Sequence, residues 1–220
     1  MDFLPLVVDL AILAAAVVLH EVGHGVVAYR CGDPTAAERG RLTLNPLRHV
    51  DPVGTLLVPA LLFTSAWTVG VRPMMFGWAK PVPVDFRRLR HPRRDMALVA
   101  IAGPAVNFVL AALAALALRI TAGVDGTLGA TIRFTGGTVI GTNCVLGVLN
   151  LLPILPLDGG RILVAALPWR LARSYARLEP MGLVLVVLLL SQTSILSTLV
   201  RPVIHAFVSA ASSSVARSRR

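Results

Sequence analysis

Charged side chains are scarce in this 220-residue chain, at 15% of residues, and the mean hydropathy is +0.75. A soluble domain of this length usually has about a quarter of its residues charged, so an ordinary soluble fold is excluded. Cysteine is also rare: Cys31 and Cys144 stand apart, without metal-ligand spacing, and neither is assigned a role. No Lys or Arg precedes the first apolar run, so no cleavable signal peptide is expected.

Long apolar runs take the place of the missing charge. Several approach or exceed the roughly 18 residues that cross a bilayer. We predict an all-α polytopic membrane protein with about four spanning helices, at residues 3–29, 96–118, 134–157 and 180–200. The net charge is +10, and the positive residues cluster in loops beside the apolar runs. That placement indicates membrane orientation and not nucleic-acid binding. Residues 1–208 are predicted to form one membrane-embedded domain, and residues 209–220 a disordered basic tail.

The motif His20-Glu21-Val22-Gly23-His24 lies inside the first apolar run. Burying two imidazoles and a carboxylate there costs free energy unless they have partners, and a metal ion is a suitable partner. Two histidines four residues apart on a helix differ by about 40° around its axis, so they project from one face. This spacing suits two ligands of one Zn²⁺, with Glu21 as general base. The alternative, a polar patch that packs helices together, stays open on this motif alone.

A catalytic zinc site needs a third protein ligand and an open position for water. Asp9 lies about 16 Å from His20 along the same helix, which favours a packing or surface role. Asp85 and Asp95 border an arginine-rich stretch and are expected to pair there. Asp158 remains as the candidate, between a proline-broken apolar segment and two glycines. Its alternative role is a turn carboxylate that pairs with Arg161.

Alternating spans bring Asp158 to the face of His20 and His24 only if residues 51–69 do not cross the membrane. We therefore predict that this segment is re-entrant and returns through an extended piece at residues 71–85, where prolines exclude a regular helix. Alternation at residues 41–44 predicts a short membrane-associated strand. Most Lys and Arg residues then lie on the histidine side, which the positive-inside rule places in the cytoplasm.

Taken together, the motifs give the chain a resemblance to the site-2 proteases, which are intramembrane zinc metalloproteases, and specifically to the compact bacterial members. Four stretches carry it, spread over residues 1–165: HEVGH at 20–24, FGWAKPV at 76–82, GPAVN at 103–107 and NLLPILPLDGG at 150–160. RLTLNP at 41–46 is also similar to the family's sequences. The chain departs from better-known members because it has no PDZ insertion and no appended regulatory domain.

The resemblance implies a role for each matching residue. His20, His24 and Asp158 would bind one catalytic Zn²⁺, and Glu21 would be the general base. Asn150 would steady the substrate or the oxyanion, and Asn107 would lie beside the site. Parts of residues 41–46 and 76–84 would form the sheet-like segment that pairs with an unwound substrate.

The sequence thus predicts an intramembrane zinc metalloprotease that hydrolyses peptide bonds in or near transmembrane segments of its substrates. Its expected partners are transmembrane proteins and the lipid bilayer, with no nucleic acid. Two other hypotheses are an ion-handling transporter and an inactive protease-like scaffold. The presence of Glu21 disfavours both, since a simple ion site has no use for a base and an inactive protein need not keep one.

Overall fold

The computed structural model describes residues 3–57, 79–191 and 193–212, and these residues are mostly helical. In chain order the α-helices are α1 (Phe3–Arg30), α2 (Thr35–Glu38), α3 (Pro92–Ile120), α4 (Gly126–Asn150), α5 (Asp158–Ala166), α6 (Trp169–Ala176), α7 (Glu179–Ser191) and α8 (Thr193–Ser212). A 3₁₀ turn at Pro46–Arg48 and a π-helical turn at Pro52–Leu57 follow α2. Within the described ranges no strand is present.

Four of the described helices are long and apolar enough to cross a membrane. They are α1 from Val7 to Arg30, all of α3, all of α4, and α8 from Ile195 to Ser212. The predicted all-α polytopic architecture is confirmed at this level. The third span begins and ends earlier than the expected 134–157, because the prolines at 153 and 156 lack the N–H donors that would continue a helix.

The fourth span differs from the prediction of residues 180–200. The described residues of this run belong to α7, which ends at Ser191, and to α8, which begins at Thr193, and residue 192 lies outside the described part. The helix long enough to span lies further along, at Ile195–Ser212. Residues 209–212, which we expected in the disordered tail, are therefore helical, and residues 213–220 lie outside the described part.

Helix α3 is the centre of the bundle and contacts α1, α4, α5 and α8. It runs antiparallel to α4, since Phe108 meets Gly147 while Leu118 meets Gly136 further out. A Cβ atom on Gly147 would come within 2.8 Å of the Phe108 ring, so glycine is what allows this close approach. Small buried residues, including Ala111 and Cys144, continue the interface.

The predicted strand at residues 41–44 is wrong: residues 42–44 form a bend, and Arg41 has no regular secondary structure. The Arg41 guanidinium donates to the carbonyl oxygens of Arg48 and, over 2.7 Å, of Lys80. Lys80 in turn donates its backbone N–H to the His49 carbonyl over 2.8 Å. A side chain thus occupies carbonyls that a strand ladder would need, and Pro81 and Pro83 offer no N–H. Of the re-entrant prediction, residues 52–57 form the π-helical turn and 58–69 lie outside the described residues.

Candidate metal centre

Three candidate ligands from distant parts of the chain converge at one point. His20 Nε2 and His24 Nε2 lie 3.0 Å apart. Asp158 Oδ2 lies 3.2 Å from the first and 3.3 Å from the second. Both histidines are buried, and the three residues form the only group of potential ligands for a metal ion found among the described His, Cys, Asp and Glu side chains.

Each ligand has a rigid support. The two histidines lie one turn apart on α1, where the spacing alone aligns them. Asp158 is the first residue of α5, and Gly159 and Gly160 follow it. A Cβ atom on Gly160 would lie 2.5 Å from the backbone nitrogen of Leu155, and one on Gly159 would overlap the Leu151 carbonyl. The two glycines therefore allow the loop before Asp158 to fold tightly against the start of α5.

Glycine is also required where α3 passes the ligands. A Cβ atom on Gly103 would lie 2.6 Å from His20 Nε2 and closer still to His24 Nε2. The next residue, Pro104, sits inside the same helix and is buried. Because residue 103 has no side chain, the backbone of α3 forms one wall of the metal centre.

The far nitrogens of both imidazoles have acceptors. His20 Nδ1 is 2.6 Å from Asn107 Oδ1, and His24 Nδ1 is 2.7 Å from the Val99 carbonyl oxygen. An oxygen acceptor at Nδ1 holds the proton there and leaves Nε2 with a bare lone pair. The Asp158 Oδ2 atom is buried and has no hydrogen-bond donor.

The three residues fit a zinc ion. Ligand atoms bound at 2.0–2.1 Å around a tetrahedral ion lie about 3.3 Å from one another, close to the separations found here. Three lone pairs that face one another at this distance repel unless a cation or proton lies between them. Two imidazoles and one carboxylate also leave the fourth position open, which is typical of catalytic zinc.

The proposed alternative partner of Asp158 is engaged elsewhere. The Arg161 guanidinium lies 3.7 Å from Glu179 of α7 and 5.4 Å from the centre of the Phe86 ring. Among the described contacts of Asp158, the ionisable partners are the two histidines. Asp158 therefore does not pair with Arg161 as the turn-carboxylate alternative required.

The remaining predicted residues are placed differently. Glu21 Oε2 accepts the backbone N–H of Val82 over 2.7 Å, so the extended residues 79–84 pass directly beside the proposed base. Asn107 contacts His20, as its expected place beside the site requires. Asn150 Nδ2 donates to the Leu146 carbonyl of its own helix over 3.0 Å, and no described hydrogen bond joins it to the ligands.

Sequence reasoning missed three contributors to the centre: the Val99 carbonyl, the Val82 amide and the side chain of Asn143. The two backbone groups leave no trace in residue identity. Asn143 does, since an amide within an apolar span needs a hydrogen-bonding partner. Its partner is Asn107, whose Nδ2 donates to Asn143 Oδ1 over 2.9 Å.

The known proteins that are similar to this chain are named as zinc metalloproteases. A sequence profile of "Peptidase family M50" matches residues 126–191. The protein named "Putative zinc metalloprotease YwhC" in Bacillus subtilis (strain 168) is 36% identical over 199 residues, covering 88% of this chain and 84% of the relative.

Two mycobacterial proteins named "Putative zinc metalloprotease Rip2" are longer than this chain. The one from Mycolicibacterium smegmatis is 34% identical over 78% of this chain, and the one from Mycobacterium tuberculosis (strain H37Rv) is 37% identical over 80%. This chain spans only 62% and 63% of their lengths. No solved structure matches the chain.

Proposed function

Because the chain belongs to peptidase family M50 and is a multi-pass membrane protein of zinc metalloprotease type, we propose that it cleaves peptide bonds in or beside transmembrane segments of other proteins. The observation that carries the proposal is the convergence of His20, His24 and Asp158 inside a bundle of spanning helices. A hydrolytic site placed there can meet substrates that are themselves membrane-embedded.

In this proposal His20, His24 and Asp158 hold the zinc. When bound, the ion lowers the pKa of a water molecule toward neutrality and polarises the substrate carbonyl. Glu21 takes the proton of the attacking water and returns it to the departing amide nitrogen. Its Oε2 atom is held by the Val82 N–H, whereas Oε1 accepts none of the described hydrogen bonds and is the oxygen we assign to proton transfer.

Substrate presentation is assigned to the extended residues 80–84. A transmembrane helix must unwind before its carbonyls are available, and an extended segment beside the site can pair with the unwound backbone. Successive residues of an extended chain point to opposite edges, and on one edge Pro81 and Pro83 have carbonyls but no N–H. The Pro81 carbonyl already accepts from the Arg41 guanidinium over 3.3 Å, so a substrate strand would have to share it. A substrate strand on that edge would have to donate its own N–H groups.

Asn150 is proposed to stabilise the oxyanion, as the resemblance implies. To do so its amide would exchange the bond to the Leu146 carbonyl for one to the substrate. We further propose that the metal centre faces the cytoplasm, since the basic residues concentrate in the segments next to it. Residues 1–208 would act as a single domain, with the tail after it outside the active unit.

The test is a cleavage assay with the full chain in liposomes and a transmembrane peptide substrate. Glu21→Gln should keep one zinc per chain by elemental analysis while hydrolysis falls by about 10²–10⁴-fold, the usual size of a general-base contribution. Glu38→Gln is the matched control, because this exposed carboxylate pairs with Arg88 away from the ligands. Its activity should match that of the natural protein.

Each rival predicts another result. An inactive scaffold would bind zinc and the peptide, but neither the natural protein nor Glu21→Gln would release a product. An ion-handling protein would carry metal or protons across the liposome wall, and Glu21→Gln would alter that flux without any peptide being cut. Cleavage that persists in Glu21→Gln would remove Glu21 from the mechanism.

A further inference from the structure

Asn143 is absent from the predicted catalytic set, yet it is connected to the metal centre. It lies on α4 with 1% of its surface exposed, and Asn107 on α3 is fully buried. Asn107 Nδ2 donates to Asn143 Oδ1 over 2.9 Å, and Asn143 Nδ2 donates to the Val139 carbonyl oxygen over 2.9 Å. Asn107 Oδ1 in turn lies 2.6 Å from His20 Nδ1. Four groups on three helices thus form one chain of hydrogen bonds.

The direction of this chain is fixed at its far end. The Val139 carbonyl can only accept, so the Asn143 amide must turn its Nδ2 toward it and its Oδ1 toward Asn107. Asn107 must then donate through Nδ2 and present Oδ1 to His20. Asn107 Oδ1 accepts the Nδ1 proton of His20, and this leaves Nε2 bare toward Asp158. No other orientation of the two amides satisfies every group.

We propose that Asn143 is a positioning residue that selects the metal-binding tautomer of His20. Without it, the Asn107 amide loses the acceptor for its Nδ2 and is free to turn over. A reversed Asn107 would donate to His20 Nδ1, the imidazole proton would move to Nε2, and that nitrogen could no longer bind a metal. For its consequence in catalysis the inference rests on the proposed zinc site. The tautomer itself is a property of the metal-free chain.

His24 provides an internal comparison. Its Nδ1 faces the Val99 backbone carbonyl at 2.7 Å, and a carbonyl in a helix cannot exchange its acceptor for a donor. The tautomer of His24 is therefore independent of any side-chain amide. A change at residue 143 should affect one of two neighbouring histidines and leave the other as it was.

The first measurement is zinc affinity, by competition with a chelator, on the full chain purified in detergent. Asn143→Leu removes the amide and keeps the branching and the number of heavy atoms of the side chain. We expect zinc to bind about 10–100-fold more weakly, the usual effect of losing an outer hydrogen-bond partner of a ligand. The control is Cys144→Ala, which removes a fully buried side chain from the next position of α4 without touching the hydrogen-bond chain. Its zinc affinity should be unchanged.

The second measurement uses a rescue. A carboxylate has only acceptor atoms when ionised, so Asn107→Asp cannot present a donor to His20 in either orientation. In the double variant Asn107→Asp with Asn143→Leu, most of the lost zinc affinity should return. A loss caused only by damaged packing of α4 would persist in the double variant.

The third measurement is the tautomer itself, from the nitrogen resonances of the imidazoles in metal-free protein at about pH 9, above the ordinary histidine pKa. Asn143→Leu should shift His20, and not His24, toward the Nε2–H form. If this variant does not fold, Asn143→Asp replaces it: its carboxylate still accepts from Asn107, so the tautomer of His20 should be retained.

Three results would overturn the proposal: natural zinc affinity in Asn143→Leu, an unchanged His20 tautomer in a variant that folds, or no recovery in the double variant. With Asn143→Asp, a shift of His20 to the Nε2–H form would do the same. Failure of the natural chain to bind zinc would instead refute the proposed function, and the tautomer measurement would still decide the role of Asn143.

Discussion

Gly103→Ala should weaken zinc binding strongly, because it adds a methyl group where α3 passes the two histidines. The new Cβ atom would lie 2.6 Å from His20 Nε2 and would also overlap His24 Nε2. Neither ring can retreat easily, because Asn107 holds the first over 2.6 Å and the Val99 carbonyl holds the second over 2.7 Å.

The magnitude follows from the cost of overpacking a tightly packed site, about 1–3 kcal/mol. If the strain appears only when the rings are held in the metal-binding geometry, zinc affinity falls by roughly 5- to 150-fold. Without metal, a ring can turn away from the new methyl group by breaking one of these hydrogen bonds, whereas bound zinc would hold both rings in place. The zinc-free chain should therefore lose less stability than the zinc-bound chain.

The assay compares thermal unfolding with zinc and with a chelator. The natural protein should be stabilised by zinc, since the ion binds the folded chain, and Gly103→Ala should show much less of this stabilisation. Gly141→Ala on α4 is the matched control, because its Cβ would meet no atom within 4 Å. It should leave the response to zinc intact. An equal response to zinc in Gly103→Ala and the natural protein would refute the reasoning.

Two further predictions concern the parts that support the site. Tyr175→Phe removes the hydroxyl that donates to the Pro153 carbonyl over 2.5 Å. This hydrogen bond, of about 1 kcal/mol, holds the loop before Asp158, so its loss should lower zinc affinity roughly fivefold. The secondary structure seen by circular dichroism should not change. Unchanged zinc affinity would contradict the idea that Tyr175 of α6 stabilises the loop before Asp158. Asp33 is fully buried, and burial opposes its ionisation. Hydrogen bonds from Thr35 and from the Asp85 backbone N–H nevertheless hold the pKa of Asp33 below its usual range. Its contribution to stability is therefore present above the unfolded-state pKa of about 3.9 and is lost as the pH falls through the lower folded-state value. In Asp33→Asn the acid side of the curve of melting temperature against pH should be flatter, and a curve parallel to that of the natural protein would contradict this.

The convergence of His20, His24 and Asp158 could be predicted from sequence because it depends on helical spacing and on the alternation of spans. Helical spacing aligns His20 with His24, and the count of spans brings Asp158 to the same end of the bundle. Glycine after Asp158 and at position 103 gave further indications, although the sequence alone did not tell that α3 forms a wall of the centre.

The errors arose where residue type leaves the backbone undetermined. Apolarity fixed neither end of the last span, because the mostly apolar residues 180–212 are longer than one membrane span and hydropathy alone does not mark where the spanning helix begins. Alternation at residues 41–44 resembled a strand, but the Arg41 side chain takes the carbonyls that a ladder would use. The link from Asn107 to Asn143 depends on the relative rotation of α3 and α4, which a single sequence does not encode in any local pattern.

The wide separation of the ligands along the chain has a consequence for biosynthesis. His24 and Asp158 are separated by 134 residues (158 − 24), which include the whole of α3 and α4. Joining such distant points costs the unfolded chain about 4 kcal/mol of conformational entropy, so a bound ion acts as a crosslink between α1 and the start of α5. The crosslink cannot close until Asp158 has been translated and α4 inserted. A nascent chain that has been synthesised only as far as α3 has both histidines but not Asp158. The peptidase should therefore be inactive until the helix bundle is assembled.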